Sequence, residues 1–474
     1  MKRYQQLAEL LAADIRSGRF GPGTRLPSIR TLTAQHGINA STAFKAYYQL
    51  EEKGLVRARP RSGYYATSAA VPAPHGAMTH ARKPRTTARV ASRLDVSELV
   101  FEVLAALQDP AIVPLGSAFA APALFPLRSL GTSLARAARQ IHLHGSTAHL
   151  SQGDPVLRQQ IALRYLAMGM AQPTDDLIIT NGALEALNLC LNAVAGPGDL
   201  VAIESPGFYA GLQALERLKM KALEIPVHPQ GGLDLAALDA ALKQHPVKAC
   251  WFMTSFQNPT GASMHEDRKK ALVELLAVHG VPLIEDDVYG ELYFGHRAPL
   301  PAKAFDRKGL VMHCSSFSKT LVPGYRVGWV SPGRFGAQIE RLKLMTTLSA
   351  SLPAQLAVAT YLQHGGYDKH LRRLRHAMEV QMACMLEAIA RYFPPGVRVS
   401  RPEGGYFLWV EFASGFDALA LHQAALAQGI SVAPGPVFSA RRRFKNCLRL
   451  NYGHPWDAGF EEAMRTLGAL ARAF

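Results

Sequence analysis

The run SSFSKTLVPGYRVGW, Ser315–Trp329, brings one amine, several hydroxyls and a guanidinium into a single short stretch of chain. Lys319 can condense with a carbonyl, while Ser316, Ser318 and Arg326 offer the hydroxyls and the cation that a phosphate requires. An aldehyde cofactor built on a pyridine ring makes two further demands: an acid that keeps the ring nitrogen protonated, and donors for a phenolic oxygen. The chain supplies Asp286 and Tyr289 in IEDDVYG and Asn258 in SFQNPTG. In TNGALEAL a strand-like run closes and a helical one begins, so the amides of Gly182, Ala183 and Leu184 would face an anion set before them. Taken singly, these residues are a turn, a cap or a strand end. Four complementary sites in chain order are much harder to assemble by coincidence.

Such groups work only if something holds them together. Beyond Asp95, apolar strand-like runs alternate with helical segments: DLIIT then GALEALNLCLNAV, LVAIE then GFYAGLQALERLK, KACWFM, RKKALVELLAVHG then VPLIEDD, LVMHCSS and RVGWVS. This alternation predicts an α/β domain with a mostly parallel sheet and helices on both faces. Ligands in such folds collect at the carboxyl ends of the strands, which is where the polar residues above fall. Apolar residues are 48% of the chain and charged ones 19%, a globular balance, and 474 residues exceed what one ordinary core holds.

The first 94 residues carry 16 Lys and Arg against 4 Asp and Glu, a net +12, whereas the other 380 hold 36 basic and 32 acidic residues, a net +4. Charge so concentrated suggests a polyanionic partner for the N-terminal part. Three helices are predicted there. Tyr4, Leu7, Leu10, Leu11 and Ile15 recur at helical spacing until SGRFGPG breaks the pattern; Pro27 and Ser28 open a second helix that stops at Gly37. Asn39 or Ser41 caps a third, with Phe44, Tyr47, Tyr48 and Leu50 as its apolar stripe. LVRARPRSGYYAT then reads as a hairpin with a basic tip, the wing of a winged helix-turn-helix. Asn39, Ser41, Thr42 and Lys45 are expected to face base edges in the major groove of double-stranded DNA, and Arg25, Ser28, Arg30, Arg59, Arg61 and Ser62 to hold phosphates. Residues 69–94 are rich in Ala, Pro and basic side chains and have no periodicity, so they read as a flexible basic tether between a domain of residues 1–68 and one of residues 95–474.

The rest of the composition excludes several classes. Five scattered cysteines without a CxxC pair predict free thiols in a reducing compartment. No apolar run is long enough to span a bilayer, and MKRYQQLAELLAADI has a helical period in place of a signal's apolar core, so a cytoplasmic protein without a membrane partner is expected. His142, His144 and His149 have no carboxylate or cysteine beside them and are not read as a metal site.

Two resemblances sharpen this reading. LPSIRTLTAQHGINASTAFKAYYQLEEKGLVRARPRSGYY resembles the winged helix of GntR-type transcription regulators, with Ala40 standing where many of them carry a base-contacting arginine. TNGALEAL, SPGFYA, NPTG, EDDVYGEL, SFSKT, GYRVGW, PEGGYFLWV and CLRLNYG resemble fold-type I pyridoxal-phosphate aminotransferases. The second resemblance implies pyridoxal 5'-phosphate held as an aldimine by Lys319, with Asp286 at its ring nitrogen. It further implies Phe208 stacked on the ring, with Tyr209 as the alternative; Arg449 on the α-carboxylate of an amino acid; Gly404 and Gly405 on the substrate side; and a site completed in a homodimer. A tyrosine that aminotransferases often place a few residues before Gly153 is replaced by Ala148 and His149, which weighs against efficient turnover. In this order the two parts resemble the MocR-type subfamily of GntR regulators over nearly the whole chain. That implies a DNA-binding regulator whose large domain senses an amino compound, or the cofactor itself, with little or no transaminase turnover. The competing implication is a genuine aminotransferase carrying an accessory DNA-binding module.

Overall fold

Ser28 accepts a hydrogen bond from the Thr31 amide at 3.1 Å, and Gly37 takes a left-handed φ of 58°. Between them runs helix α2, Ile29–His36, preceded by α1, Arg3–Arg16, and followed by α3, Ala40–Glu52. A side-chain cap of this kind stabilises a helix start by about 1 kcal/mol. At α3 the cap is Asn39, whose Oδ1 accepts the Thr42 amide at 2.8 Å. The structure is a computed structural model that describes residues 3–16, 19–20, 24–52, 55–59, 63–66, 89–91, 97–105, 109–139, 141, 150–364 and 366–474. The chain divides into two units, Met1–Pro74 and His75–Phe474.

In the first unit, Leu7, Leu11 and Ile15 of α1, Leu32 of α2, and Ala43, Ala46, Tyr47 and Leu50 of α3 form one core. Three residues of the expected apolar stripes point outward: Leu10 is 50%, Phe44 46% and Tyr48 64% exposed. With 3.6 residues per turn, positions 43, 46, 47 and 50 share one face, and 44 and 48 fall beside it. Strand β1, Val56–Arg59, pairs antiparallel with β2, Gly63–Ala66, as the wing. Tyr47 ties the wing to α3, its ring stacked on Tyr64 with centroids 4.1 Å apart and its hydroxyl donating to Pro27 O at 2.5 Å.

The second unit holds β3 (Arg89–Ala91), β4 (Val113–Pro114), β5 (Ile178–Thr180), β6 (Leu200–Ser205), β7 (Lys221–His228), β8 (Gly232–Leu233), β9 (Val247–Phe252), β10 (Leu283–Asp286), β11 (Val311–Ser316) and β12 (Gly328–Ser331). Nine of them form a sheet in the order β3-β7-β6-β9-β10-β11-β12-β5, with β8 on β7. The central pairs from β7 to β11 are parallel, while β3, β8 and β12 join antiparallel. Every residue of β6, β10 and β11 is buried, which is why these strands read as continuous runs instead of alternating ones. The reading of residues 69–94 as tether is corrected at Arg89–Ala91, an edge strand whose Ala91 stands opposite Ala222 and whose Arg89 stands opposite Glu224. Three residues are too few to show a period, and an edge strand can be defined by its neighbour's backbone alone. The remaining tether residues lie outside the described ones.

A second, antiparallel sheet runs in the order β13 (Arg398–Val399), β14 (Phe407–Glu411), β17 (Cys447–Asn451), β16 (Ala433–Pro434), and β15 (Ile430–Ser431) pairs with β4. Among the described residues no helix is long and apolar enough to cross a membrane, and no cluster of His, Cys, Asp and Glu could hold a metal. His142, His144, Ala148 and His149 are outside them. None of the five cysteines, all of them described residues, is in a disulfide.

Candidate cofactor site and nucleic-acid interface

Strands β10 and β11 finish side by side, Asp286 opposite Cys314; Ser316 closes β11, and the turns beyond deliver Tyr289 from one strand and Ser318 and Lys319 from the other. Strand β5 ends at Thr180, and the chain enters the helix Ala183–Val194 through Gly182 at φ 80° and ψ 170°. A Cβ on Gly182 would stand 2.5 Å from Arg326 Nη2, and one on Gly328 would stand 2.5 Å from the Gly182 carbonyl carbon. Both positions must therefore be bare for Arg326 to reach the start of that helix. Arg326 is itself left-handed, φ 53°, and donates to Ser318 Oγ at 3.3 Å and Asn181 O at 3.4 Å. No side chain caps the helix, so its first amides are left to an anion.

Around these residues lies a cavity of about 150 Å³, walled by Ala183, Leu184, Phe208, Asn258, Asp286, Tyr289, Ser316, Ser318, Lys319 and Arg326. Gly182 stands behind Arg326. Phe119, Leu187, Met253 and Val288 complete the wall and were not expected from the sequence. Tyr209, the alternative to Phe208, lies off the cavity, 6.0 Å from Phe438 between ring centroids. Gly404 and Gly405 also lie off it, packed against Phe256. Wider grooves of about 510 Å³ occur elsewhere, beside Lys270 and beside Gln159, but neither gathers buried titratable groups of this kind.

Lys319 Nζ donates to Ala118 O at 2.6 Å and sits 4.1 Å from the Phe119 ring centroid. Burial, followed by the Arg449 guanidinium, pulls its pKa down to about 7, against the opposing pull of Asp286. Burial, reinforced by Asp287, pushes Asp286 up from 3.8 to about 7, against Lys319. Asp286 Oδ1 and Asn258 Nδ2 are buried and have no hydrogen-bond partner. Leaving such groups unmatched costs about 1–3 kcal/mol each, so the wall holds an acceptor and a donor awaiting a ligand. An acceptor for a pyridine N–H, a donor for a phenolic oxygen, an amine, and a hydroxyl-and-guanidinium end are the complement of pyridoxal 5'-phosphate. The site fits that group.

Arg449 comes from β17 and is 1% exposed. Its Nη1 donates to Asn258 Oδ1 at 2.9 Å and its Nη2 to Gly116 O at 2.5 Å, with the Phe407 ring centroid 4.4 Å away. Burial lowers its pKa. The Gly116–Phe119 segment is caught at every carbonyl. Asn451 Nδ2 donates to Ser117 O at 3.0 Å and Phe119 O at 2.7 Å, and Tyr406 joins Lys319 on Ala118 O at 2.9 Å. The one signal in the sequence was Asn451, a polar residue closing an apolar strand.

In the first unit, Arg25, Ser28, Asn39 and Lys45 are exposed and Thr42 is half-buried. Ser28 Oγ and Asn39 Oδ1 are occupied as helix caps, which leaves the Asn39 amide nitrogen for other partners. Arg30, Ser41 and Arg59 lie on α2, α3 and β1; Arg61 and Ser62 are outside the described residues.

Residues 128–467 match the family of aminotransferases of class I and II, and residues 3–65 match the bacterial regulatory proteins of the gntR family. The chain is 46% identical to an uncharacterized HTH-type transcriptional regulator of Escherichia coli K12, YdcR, over 99% of each chain. Among solved structures, kynurenine aminotransferase of Pyrococcus horikoshii, in complex with PMP, is 30% identical over 79% of this chain and 94% of that one, with a TM-score of 0.72. LysN, an α-aminoadipate aminotransferase of Thermus thermophilus complexed with N-(5'-phosphopyridoxyl)-L-leucine, is 29% identical over 80% and 99%, with a TM-score of 0.70.

Proposed function

We propose, on the premise that the chain belongs to the class I and II aminotransferase family and joins that domain to a gntR-type helix-turn-helix as MocR-type regulators do, that it is a transcription regulator whose large unit senses an amino compound or the cofactor itself. Pyridoxal 5'-phosphate is the cofactor of this fold-type I domain. When bound, it supplies an aldehyde open to Lys319 or to an incoming amine. Asp286 Oδ1 accepts the ring N–H, Asn258 Nδ2 donates to the phenolic oxygen with Tyr289 beside it, and Phe208 covers the ring face. Ser316, Ser318, Arg326 and the amides of Gly182, Ala183 and Leu184 hold the phosphate, and Arg449 orients a carboxylate by paired donors. Lys319 engages as the neutral amine, and a pKa of about 7 makes that form available near neutrality.

The observation that carries this reading is the pairing in one buried cavity of Lys319 with two unpartnered polar atoms, Asp286 Oδ1 and Asn258 Nδ2, in a chain whose N-terminal 63 matched residues belong to a DNA-binding family. On the DNA side, Arg25, Ser28, Arg30, Arg59, Arg61 and Ser62 hold phosphates, and Asn39, Ser41, Thr42 and Lys45 face bases. The protein acts in the cytoplasm as a homodimer on paired half-sites. A second reading, a working aminotransferase, is favoured by the retention of Lys319, Asp286 and Arg449 together. Duplex affinity is to be measured with and without pyridoxal phosphate and amino acids, alongside keto-acid formation. A shift of about 5–150-fold in affinity without turnover supports the sensor; steady transfer with no change in affinity overturns it.

A further inference from the structure

Glu224 lies on β7, 3% exposed, with Ile203 of β6 opposite it on one side and Arg89 of β3 on the other. Its Oε1 accepts three hydrogen bonds, from Ser205 Oγ at 3.1 Å, Ser439 Oγ at 2.8 Å and the Ala440 amide at 3.0 Å, whereas Oε2 is buried with none. These three donors lie on two segments that adjoin the cofactor site without lining its cavity. Ser205 closes β6 just before Phe208, which covers the cavity. Ser439 follows Phe438, whose ring centroid is 5.2 Å from the Arg449 guanidinium, and the Gly207 amide donates to Phe438 O at 2.9 Å. One carboxylate therefore fastens the turn that carries the ring-covering residue to the segment that backs the carboxylate-holding one. The same residue's backbone supports β3, the described stretch that directly follows the basic tether in sequence.

A three-residue edge strand with a single neighbour opens more readily than any buried strand, so its exchange responds to small shifts of β7. We propose that Glu224 is a positioning residue through which occupancy of the cofactor pocket is transmitted to β3 and thereby to the tether. The proposal rests on the reading of the large unit as a cofactor-holding sensor. It requires that filling the pocket move or stiffen the Ser205–Phe208 turn and the Phe438–Ala440 segment together, and that only the carboxylate carry this to β7.

The test is hydrogen exchange, followed by mass spectrometry on the full-length protein, of peptides containing residues 89–91 and 205–208, with and without added pyridoxal phosphate. In the wild type both peptides should slow several-fold on loading. In Glu224→Ala the 205–208 peptide should still slow while the 89–91 peptide no longer responds, and Glu224→Gln, whose amide oxygen can still accept, should retain part of the response. Should Glu224→Ala not fold, Ser439→Ala removes one of the three bonds and should reduce the β3 response by itself. Exchange of residues 89–91 that ignores the cofactor in the wild type, or that still follows it in Glu224→Ala, overturns the proposal. Absence of any visible absorbance change on adding the cofactor overturns the underlying reading instead, so the two failures are distinct.

Discussion

Replacing Asp286 by Asn should make the cofactor-free protein more stable and its cofactor binding weaker. Asp286 is 1% exposed, its Oδ1 has no partner, and its pKa is raised from 3.8 to about 7. A carboxyl whose folded pKa lies above its unfolded value destabilises the fold wherever the unfolded state would be ionised. The cost is absent below pH 3.8, grows through the window from 3.8 to about 7, and is complete above it. A rise from 3.8 to about 7 corresponds to about 4 kcal/mol, so Asn could recover up to that amount at pH 8 and about 2 kcal/mol at pH 5. Thermal unfolding of the cofactor-free protein at the two pH values measures the gain, and titration with pyridoxal phosphate measures the loss. The charge-assisted contact to the ring nitrogen contributes about 1.5–3 kcal/mol, so Kd should rise roughly 10–100-fold. A variant that melts no higher than the wild type at pH 8, or gains as much at pH 5, refutes the electrostatic account. Unchanged affinity refutes the role of Asp286.

Lys319→Ala should abolish the visible band that appears when the wild type is mixed with pyridoxal phosphate, and in the wild type the rate of that reaction should climb as pH rises through about 7 and the amine loses its proton. Gly182→Ala forces a Cβ against Arg326 at a φ of 80°, so a loss of about 1–3 kcal/mol in thermal stability and weaker cofactor retention are expected. Arg25→Ala should weaken duplex binding across all sequences and lower the slope of log affinity against log salt by about 1, while Lys45→Ala should alter base preference in a selection from random duplexes.

Much of the wall of the cofactor site was legible because its members sit at or beyond the ends of buried strands, where polar residues stand out against an apolar run: Asp286 closes LIED, Ser316 closes VMHCSS, and Gly182 lies two residues past IIT. Arg449 was accessible only through resemblance, since one arginine in a five-residue apolar strand declares nothing about the two rings that flank it. The Gly116–Phe119 segment offered no signal of its own: it contributes carbonyls, which every residue has, its side chains are small except for Phe119, and only Asn451, far along the chain, pointed to it. Phe44 and Tyr48 misled for a different reason. On a helix crowded with aromatics, position within the turn decides burial, and Tyr47 alone stacks on the wing.

The captured carbonyls of Gly116–Phe119 bear on how tightly the site can hold a ligand. Two of the donors assigned to a ligand are already engaged, Lys319 Nζ on Ala118 O and Arg449 on Gly116 O and Asn258 Oδ1, whereas Asn258 Nδ2 is not. A carboxylate arriving at Arg449 must displace a carbonyl from Nη2, and Lys319 must leave Ala118 to engage an aldehyde, after which Tyr406 is that carbonyl's remaining side-chain partner. Exchanging a carbonyl contact of about 1 kcal/mol for a charge-assisted one of about 1.5–3 kcal/mol leaves a net gain of order 1–2 kcal/mol per donor. Because these two donors are already paired within the chain, each contributes less to ligand binding than an unpartnered donor such as Asn258 Nδ2 does.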